Sequence, residues 1–245
     1  GLVNGMKAEM QTVTPHVPVL DIVGTGGDQA NTVNISTASS LLAAACGANV
    51  VKHGNRSVSS RCGSADLLAA LGVRLETSAE QVSNDLDHNG FAFCFAPSFH
   101  PAMKALKAVR KVLGVRTSFN LIGPLLNPAK AQHLLIGVFS PDYLDLIADT
   151  LMRLGVTHAM VVHSCGLDEL SLIGPSEVIE LHHGKKQSTT LDPKDLGFDY
   201  YPLEAIQGGD VTENKRLIMA ALTGTPGAIA DTIVLNTGVA LYVAD

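Results

Sequence analysis

The stretch Asp21-Ile22-Val23-Gly24-Thr25-Gly26-Gly27-Asp28, followed by Asn31-Thr32-Val33-Asn34-Ile35-Ser36-Thr37 and then an Ala/Leu-rich apolar segment, decides the reading of this 245-residue chain. It reads as a strand, a glycine loop and a helix that begins late, near Ser36. Glycines let backbone N–H groups turn inward and approach an anion closely, and Ser36 and Thr37 stand where a helix start needs N-cap oxygens. The positive end of that helix adds a field favourable to negative charge. The expected ligand is therefore a phosphate or pyrophosphate. Neither common nucleotide loop fits: a dinucleotide fingerprint needs glycine where Gln29 stands, and the Gly-Lys-Ser/Thr of a Walker A loop is absent.

Two further clusters strengthen this reading. The apolar run Ala48-Asn49-Val50-Val51 leads into Lys52-His53-Gly54-Asn55-Arg56-Ser57-Val58-Ser59-Ser60-Arg61, which holds three fixed cations, a histidine and several small polar side chains. A multiply phosphorylated sugar needs that mixture of charge, close approach and hydroxyl geometry. In a chain of net charge -6, such a basic focus behind an apolar strand points to a ligand rather than to a solvated loop. Ala159-Met160-Val161-Val162-His163 reads as another strand, and Gly166-Leu167-Asp168-Glu169-Leu170 follows it. Two adjacent carboxylates at a strand end suit Mg2+, which binds through one or two carboxylates together with substrate phosphates.

The combination of Gly24-Thr25-Gly26-Gly27-Asp28, Asn34-Ile35-Ser36-Thr37, Lys52-His53-Gly54-Asn55-Arg56-Ser57, Gly63-Ser64-Ala65-Asp66, Phe119-Asn120-Leu121-Ile122-Gly123-Pro124-Leu125-Leu126-Asn127-Pro128 and Gly166-Leu167-Asp168-Glu169 closely resembles the anthranilate phosphoribosyltransferases. Enzymes of that family join anthranilate to phosphoribosyl pyrophosphate (PRPP), releasing pyrophosphate in tryptophan biosynthesis. The resemblance implies that Gly24, Gly27 and Asp28 bracket PRPP, that Thr32, Asn34, Ile35, Ser36 and Thr37 complete its cradle, and that Lys52, His53, Gly54, Asn55, Arg56, Ser57, Val58, Ser59, Ser60 and Ser64 close the other side. It implies Ser36, Asp168 and Glu169 as magnesium ligands, and Gly24, Asn55 and Arg110 as anthranilate contacts, with Lys52, Asn55 and Arg110 as the catalytic set. Arg110 is preferred to Arg116 because of its Val109-Arg110-Lys111 context before Gly114. His53 is either a base or a structural, phosphate-contacting group.

Hydrophobic residues make up 46% of the chain and charged ones 16%, enough for a large core. Strands expected at 19–23, 48–52, 91–95, 134–139 and 159–163 alternate with helices at 36–46, 64–71, 101–113 and 143–154. That order predicts an α/β fold with a mainly parallel central sheet flanked by helices, of the nucleoside phosphorylase/phosphoribosyltransferase kind that the resemblance implies. The resemblance further implies that residues 1–18 are the remnant of an N-terminal helical domain and hinge, otherwise largely missing from this chain. Residues 19–245 would be the α/β phosphoribosyl-transfer domain, with 97–128 packing on the helical domain, and the family's homodimer would form through those N-terminal helices.

The four cysteines show no metal or redox spacing, which predicts reduced thiols, and no signal or membrane segment is visible, so a cytoplasmic location without nucleic-acid or membrane partners is expected. His182-His183 and His158 with His163 lack the spacing of a zinc site. Ser164-Cys165 beside His163 reads as a loop near a strand end. Two alternatives remain: a pyrimidine nucleoside phosphorylase, disfavoured by the pairing of the glycine loop with Asp168-Glu169, and a non-enzymatic nucleic-acid-binding relative, disfavoured by the acidic balance.

Overall fold

The five short apolar runs form the parallel part of one seven-stranded sheet, ordered β3-β2-β1-β4-β5-β6-β7, in a computed structural model that describes residues 1–57, 61–103 and 117–245. They are β1 Leu20–Gly24, β2 Val50–Gly54, β3 Phe91–Phe95, β4 His133–Gly137 and β5 His158–Ser164. Every residue of β4 and β5 is buried, as expected of strands covered on both faces. β6 Ser176–His182 and β7 Lys185–Leu191 then add antiparallel to the β5 edge. This hairpin is absent from the expectation: β7 reads Lys-Lys-Gln-Ser-Thr-Thr-Leu and is almost wholly exposed, a polar edge that resists pairing with other chains.

Helices cover both faces. On one side α4 (Ala79–Asn89) and α6 (Leu144–Arg153) insert Val82, Leu86, Ile147 and Leu151 against Val51, Ile136 and Val161. On the other, α2 (Ile35–Ala45) and the long α8 (Ala228–Ala244) insert Ala43, Leu235, Val239 and Val243 against Leu20, Ile22, Leu135 and Val162. α3 (Ser64–Ala70) and α7 (Val211–Leu222) join α2 through Leu67, Ile218 and Ile35. α1 (Leu2–Glu9) packs through Met6 on Ile122 and Leu126, and α5 (Ala96–Phe99) is a single turn after β3. The helix expected at 101–113 is described only to residue 103.

The strand order fixes where a ligand binds. From β1 the chain progresses outward through β2 and β3, then returns to place β4 on the other side of β1. At such a reversal the loops beyond the carboxyl ends of the two central strands diverge and leave a crevice. Here that crevice lies beyond Gly24 and Gly137, which are paired in register.

Candidate active site

Beyond the ends of β1 and β4, the chain after β5 turns back over the sheet. Ser164 and Leu167 exchange backbone hydrogen bonds of 3.2 and 2.8 Å, with Cys165 and Gly166 both at positive φ (50° and 89°). That tight turn throws Asp168 directly over the crevice. A Cβ on either Gly24 or Gly137 would overlap Asp168, so glycine at both strand ends is a requirement of close approach. The Gly26 N–H donates to Asp168 Oδ2 at 2.6 Å, and the Ser36 N–H to Glu169 Oε1 at 3.2 Å. The glycine loop and the first turn of α2 are thus tied to the carboxylate pair from opposite sides.

Lys52 belongs to β2 and is 1% exposed. Its Nζ donates to the Ile22 carbonyl at 2.6 Å and to Ser36 Oγ at 3.2 Å. Burial lowers its pKa, against the opposing pull of Asp21 and Glu169. Burial also drives Asp168 and Glu169 well above the ordinary carboxylate range; Asp28 adds to the first shift and Asp168 itself to the second. Three carboxylates converge where one buried ammonium is the counter-charge, an arrangement short of positive charge. Among the described residues, the Thr37 hydroxyl, in the first turn of α2, is buried without a hydrogen-bond partner. Asn34 precedes α2 without a side-chain cap, and the Ser36 N–H of the first turn is met by Glu169 instead. A hard divalent cation and a diphosphate fit this donor set.

The loops that enclose the crevice are braced by residues the sequence reading missed. Asn214 of α7, 2% exposed, donates to Asn34 Oδ1 at 2.9 Å and accepts from the Gly209 N–H at 2.7 Å. Asn34 in turn donates to the Cys62 carbonyl at 3.0 Å, linking the two ligand loops. Thr32 forms a bridge with Gln207. Asn236 of α8 bonds Leu170 through both its N–H and its carbonyl, at 3.2 and 2.8 Å. Their only sequence signal is an asparagine at an otherwise apolar helical position.

The second loop is held by Asp66. It accepts from the Ser57 and Gly63 N–H groups at 3.1 and 3.0 Å and from Arg56 Nη1 at 2.7 Å. Arg56 is therefore engaged, although 57% of its side chain stays exposed. Ser64 Oγ donates to the Asn55 carbonyl at 3.2 Å, and Asn55 itself is exposed at the loop start. Val58, Ser59, Ser60, Arg110 and Arg116 lie outside the described residues.

His53 takes the face of β2 opposite Lys52, as strand alternation requires. Its Nε2 lies 3.1 Å from that of His100, and burial, with His100 next, holds its pKa down to about 3. It is neutral at pH 7. Behind it Asp21, raised by burial to about 6, accepts from Asn127 Nδ2 at 2.7 Å and from the His53 N–H at 3.3 Å. Asn127 also donates to the Val51 carbonyl at 2.7 Å, which gives the Pro124–Pro128 motif its role as a clasp beneath the site. His163 is structural, with Nδ1 2.8 Å from the Val138 carbonyl and Nε2 accepting from the Gly166 N–H at 3.3 Å. All four cysteines are free, and among the described residues no helix is long and apolar enough to cross a membrane.

Comparison with known proteins agrees with this geometry. A family model described as glycosyl transferase family, a/b domain, matches residues 16–245. The chain is 47% identical over 243 residues to the anthranilate phosphoribosyltransferase of Chromobacterium violaceum, spanning 96% of this chain and 71% of that protein. The crystal structure of the Thermus thermophilus anthranilate phosphoribosyltransferase is similar with a TM-score of 0.94 at 46% identity, over 99% of this chain and 73% of that one. The Saccharomyces cerevisiae enzyme, solved in complex with PRPP and Mg, is similar with a TM-score of 0.88 at 29% identity, over 99% of this chain and 69% of that one. On the length and identity of these matches, and with Asp168-Glu169 seated over the glycine loop, the chain belongs to the anthranilate phosphoribosyltransferase family.

Proposed function

We propose that this chain transfers the phosphoribosyl group of PRPP to the amine of anthranilate, giving N-(5-phosphoribosyl)anthranilate and pyrophosphate in tryptophan biosynthesis. The observation that carries the reading is the insertion of Asp168 between Gly24 and Gly137, with Glu169 on the Ser36 N–H beside buried Lys52. Ser36, Asp168 and Glu169 would hold Mg2+. When bound, the ion supplies positive charge to the diphosphate and relieves the crowding of buried carboxylates.

The rest of the chemistry falls to the chain. As the bond from the anomeric carbon to pyrophosphate breaks and the bond to nitrogen forms, negative charge grows on the departing diphosphate. The Gly24–Asp28 loop and the positive end of α2 would face that charge, with the Gly26 and Ser36 N–H groups holding Asp168 and Glu169 in place. Lys52 holds Ser36 and offsets the charge of Glu169 rather than reaching out to solvent. Anthranilate's amine brings its own lone pair, so no dedicated base is required before attack. Buried His53, engaged with His100, is not placed to act as a base. Asn55 and Arg110 would orient the acceptor, Arg110 through its carboxylate, which makes positioning the main device.

The remaining donor contacts are those at Gly24, Gly27, Asp28, Thr32, Asn34 to Thr37, Lys52 to Ser60 and Ser64. We also propose the division at residue 18, assembly as a homodimer and a cytoplasmic setting. Mixing the protein with anthranilate, PRPP and Mg2+ should quench anthranilate fluorescence with stoichiometric release of pyrophosphate. A folded protein that binds PRPP and leaves the fluorescence unchanged would refute the acceptor.

A further inference from the structure

Histidines stand in register across three strands at the end of the sheet remote from the crevice. His133 of β4 pairs with His158 of β5, which pairs with His182 of β6. Directly paired residues share a face, so the imidazoles form a row, and the last turn of α8 closes over it. His133 spends Nδ1 on the Val243 carbonyl at 2.7 Å. His158 is fully buried, with Nε2 3.0 Å from Glu180 Oε1, and Glu180 is itself fixed by the Tyr242 hydroxyl at 2.8 Å. Its Nδ1 faces Asp245 Oδ1 at 3.3 Å. One ligating atom each from His158, His182 and Asp245 lies within 4.8 Å of the other two.

Glu180 fixes which nitrogen of His158 carries hydrogen. A carboxylate on Nε2 selects the Nε2–H tautomer and leaves the Nδ1 lone pair aimed at Asp245. Lone pair against carboxylate oxygen repels, and either a proton or a metal ion between Nδ1 and Asp245 Oδ1 relieves it. Carboxylate, imidazole and metal in that sequence is how proteins orient a ligating histidine. We propose that His158, His182 and Asp245 form a site for a zinc-type transition-metal ion, with Glu180 as the outer carboxylate. Two imidazoles and a carboxylate suit Zn2+ and its neighbours rather than Mg2+.

His182 is partly exposed and, among the described residues, accepts and donates no hydrogen bond; its ring lies between those of His158 and His183, with centroids 4.1 Å from each, and must turn out of that stack to bring a nitrogen onto the ion. A cavity of about 300 Å³, lined by His133, Leu241, Ala244 and Asp245 among others, opens on the Asp245 side of the cluster. β5 runs seven residues from His158 to Ser164, about 20 Å at roughly 3.3 Å per residue, so this ion stands apart from the reaction. It staples the end of α8 to the sheet.

The test is calorimetric titration of the full chain with Zn2+, repeated in an Asp168→Asn background so that zinc at the crevice carboxylates is told apart. One equivalent should bind in both backgrounds. Glu180→Gln should weaken it by about 10–100-fold, the usual cost of losing an outer partner. His182→Ala and the exposed Asp245→Asn should each weaken it at least tenfold, a prediction of the proposal, while circular dichroism and Mg2+-dependent turnover stay at wild-type level. Absence of stoichiometric binding would overturn the site, as would binding lost only with Asp168, or binding indifferent to both His182→Ala and Asp245→Asn.

Discussion

Replacing Gly137 by alanine perturbs the site without touching a polar group. Its new Cβ would fall on the carbonyl of Asp168 and within 3.0 Å of its Cα. These are backbone atoms, so no side-chain rotation relieves the overlap. Restoring ordinary contact requires the Asp168 peptide to retreat by about 1 Å or more, and overpacking of this kind costs about 1–3 kcal/mol. For a chain of this length the melting temperature should fall by roughly 2–4 °C per kcal/mol. Displacement of that size at the carboxylate pair should lower kcat/KM about 10²-fold, or about 2.7 kcal/mol of transition-state stabilisation. Anthranilate fluorescence decay at varied Mg2+ measures the effect, and the apparent Mg2+ requirement should rise with it. Gly238, on the exposed side of α8 with open space around it, is the control: Gly238→Ala should leave kinetics alone and stabilise the fold by about 0.5–1 kcal/mol. Full activity and unchanged Mg2+ dependence in Gly137→Ala would refute the argument that Asp168 needs both glycines.

Asp168→Asn should raise the Mg2+ requirement while leaving thermal stability near wild type, since burial already disfavours the charge there; an unchanged requirement would exclude it as a ligand. Asn214→Ala takes the donor from Asn34 Oδ1 and the acceptor from the Gly209 N–H, so it should cost about 1–3 kcal/mol in urea unfolding and raise KM for PRPP more than for anthranilate. Arg110→Ala should do the reverse, raising KM for anthranilate more than for PRPP in steady-state assays. His53 is held near 3 when folded and titrates near its ordinary 6.5 when unfolded, so the stability it contributes is present above pH 6.5 and is lost as pH falls. At 1.36 kcal/mol per unit, the advantage of wild type over His53→Gln should shrink by about 2 kcal/mol between pH 7 and pH 5 in urea titrations; a constant difference would show that His53 titrates in the fold as it does in the unfolded chain. Asp21, raised to about 6, acts in the opposite sense, favouring the fold at lower pH, and is common to both proteins.

Local pattern alone determined the five parallel strands, the late start of α2 and the positions of the glycine and carboxylate loops. Apolar runs such as Phe91–Phe95 have no solvent-facing alternative, and glycines at Gly24 to Gly27 have few uses other than close approach. The β6–β7 hairpin was illegible because an exposed edge strand carries no apolar periodicity. Lys52 read as a loop cation, yet β2 continues to Gly54 and buries it; that Arg56 pairs with Asp66 was not legible in the sequence. The roles of Asn214 and Asn236 could not be read because their partners, Asn34 and Leu170, are 180 and 66 residues away. His158 and His182 lack zinc spacing along the chain, and antiparallel pairing alone makes them neighbours. Sequence fixes which side chains are available and which short segments must be buried, because those are properties of a few adjacent residues. Only the tertiary structure decides which charges share a desolvated space, because that depends on contacts between residues far apart in the chain.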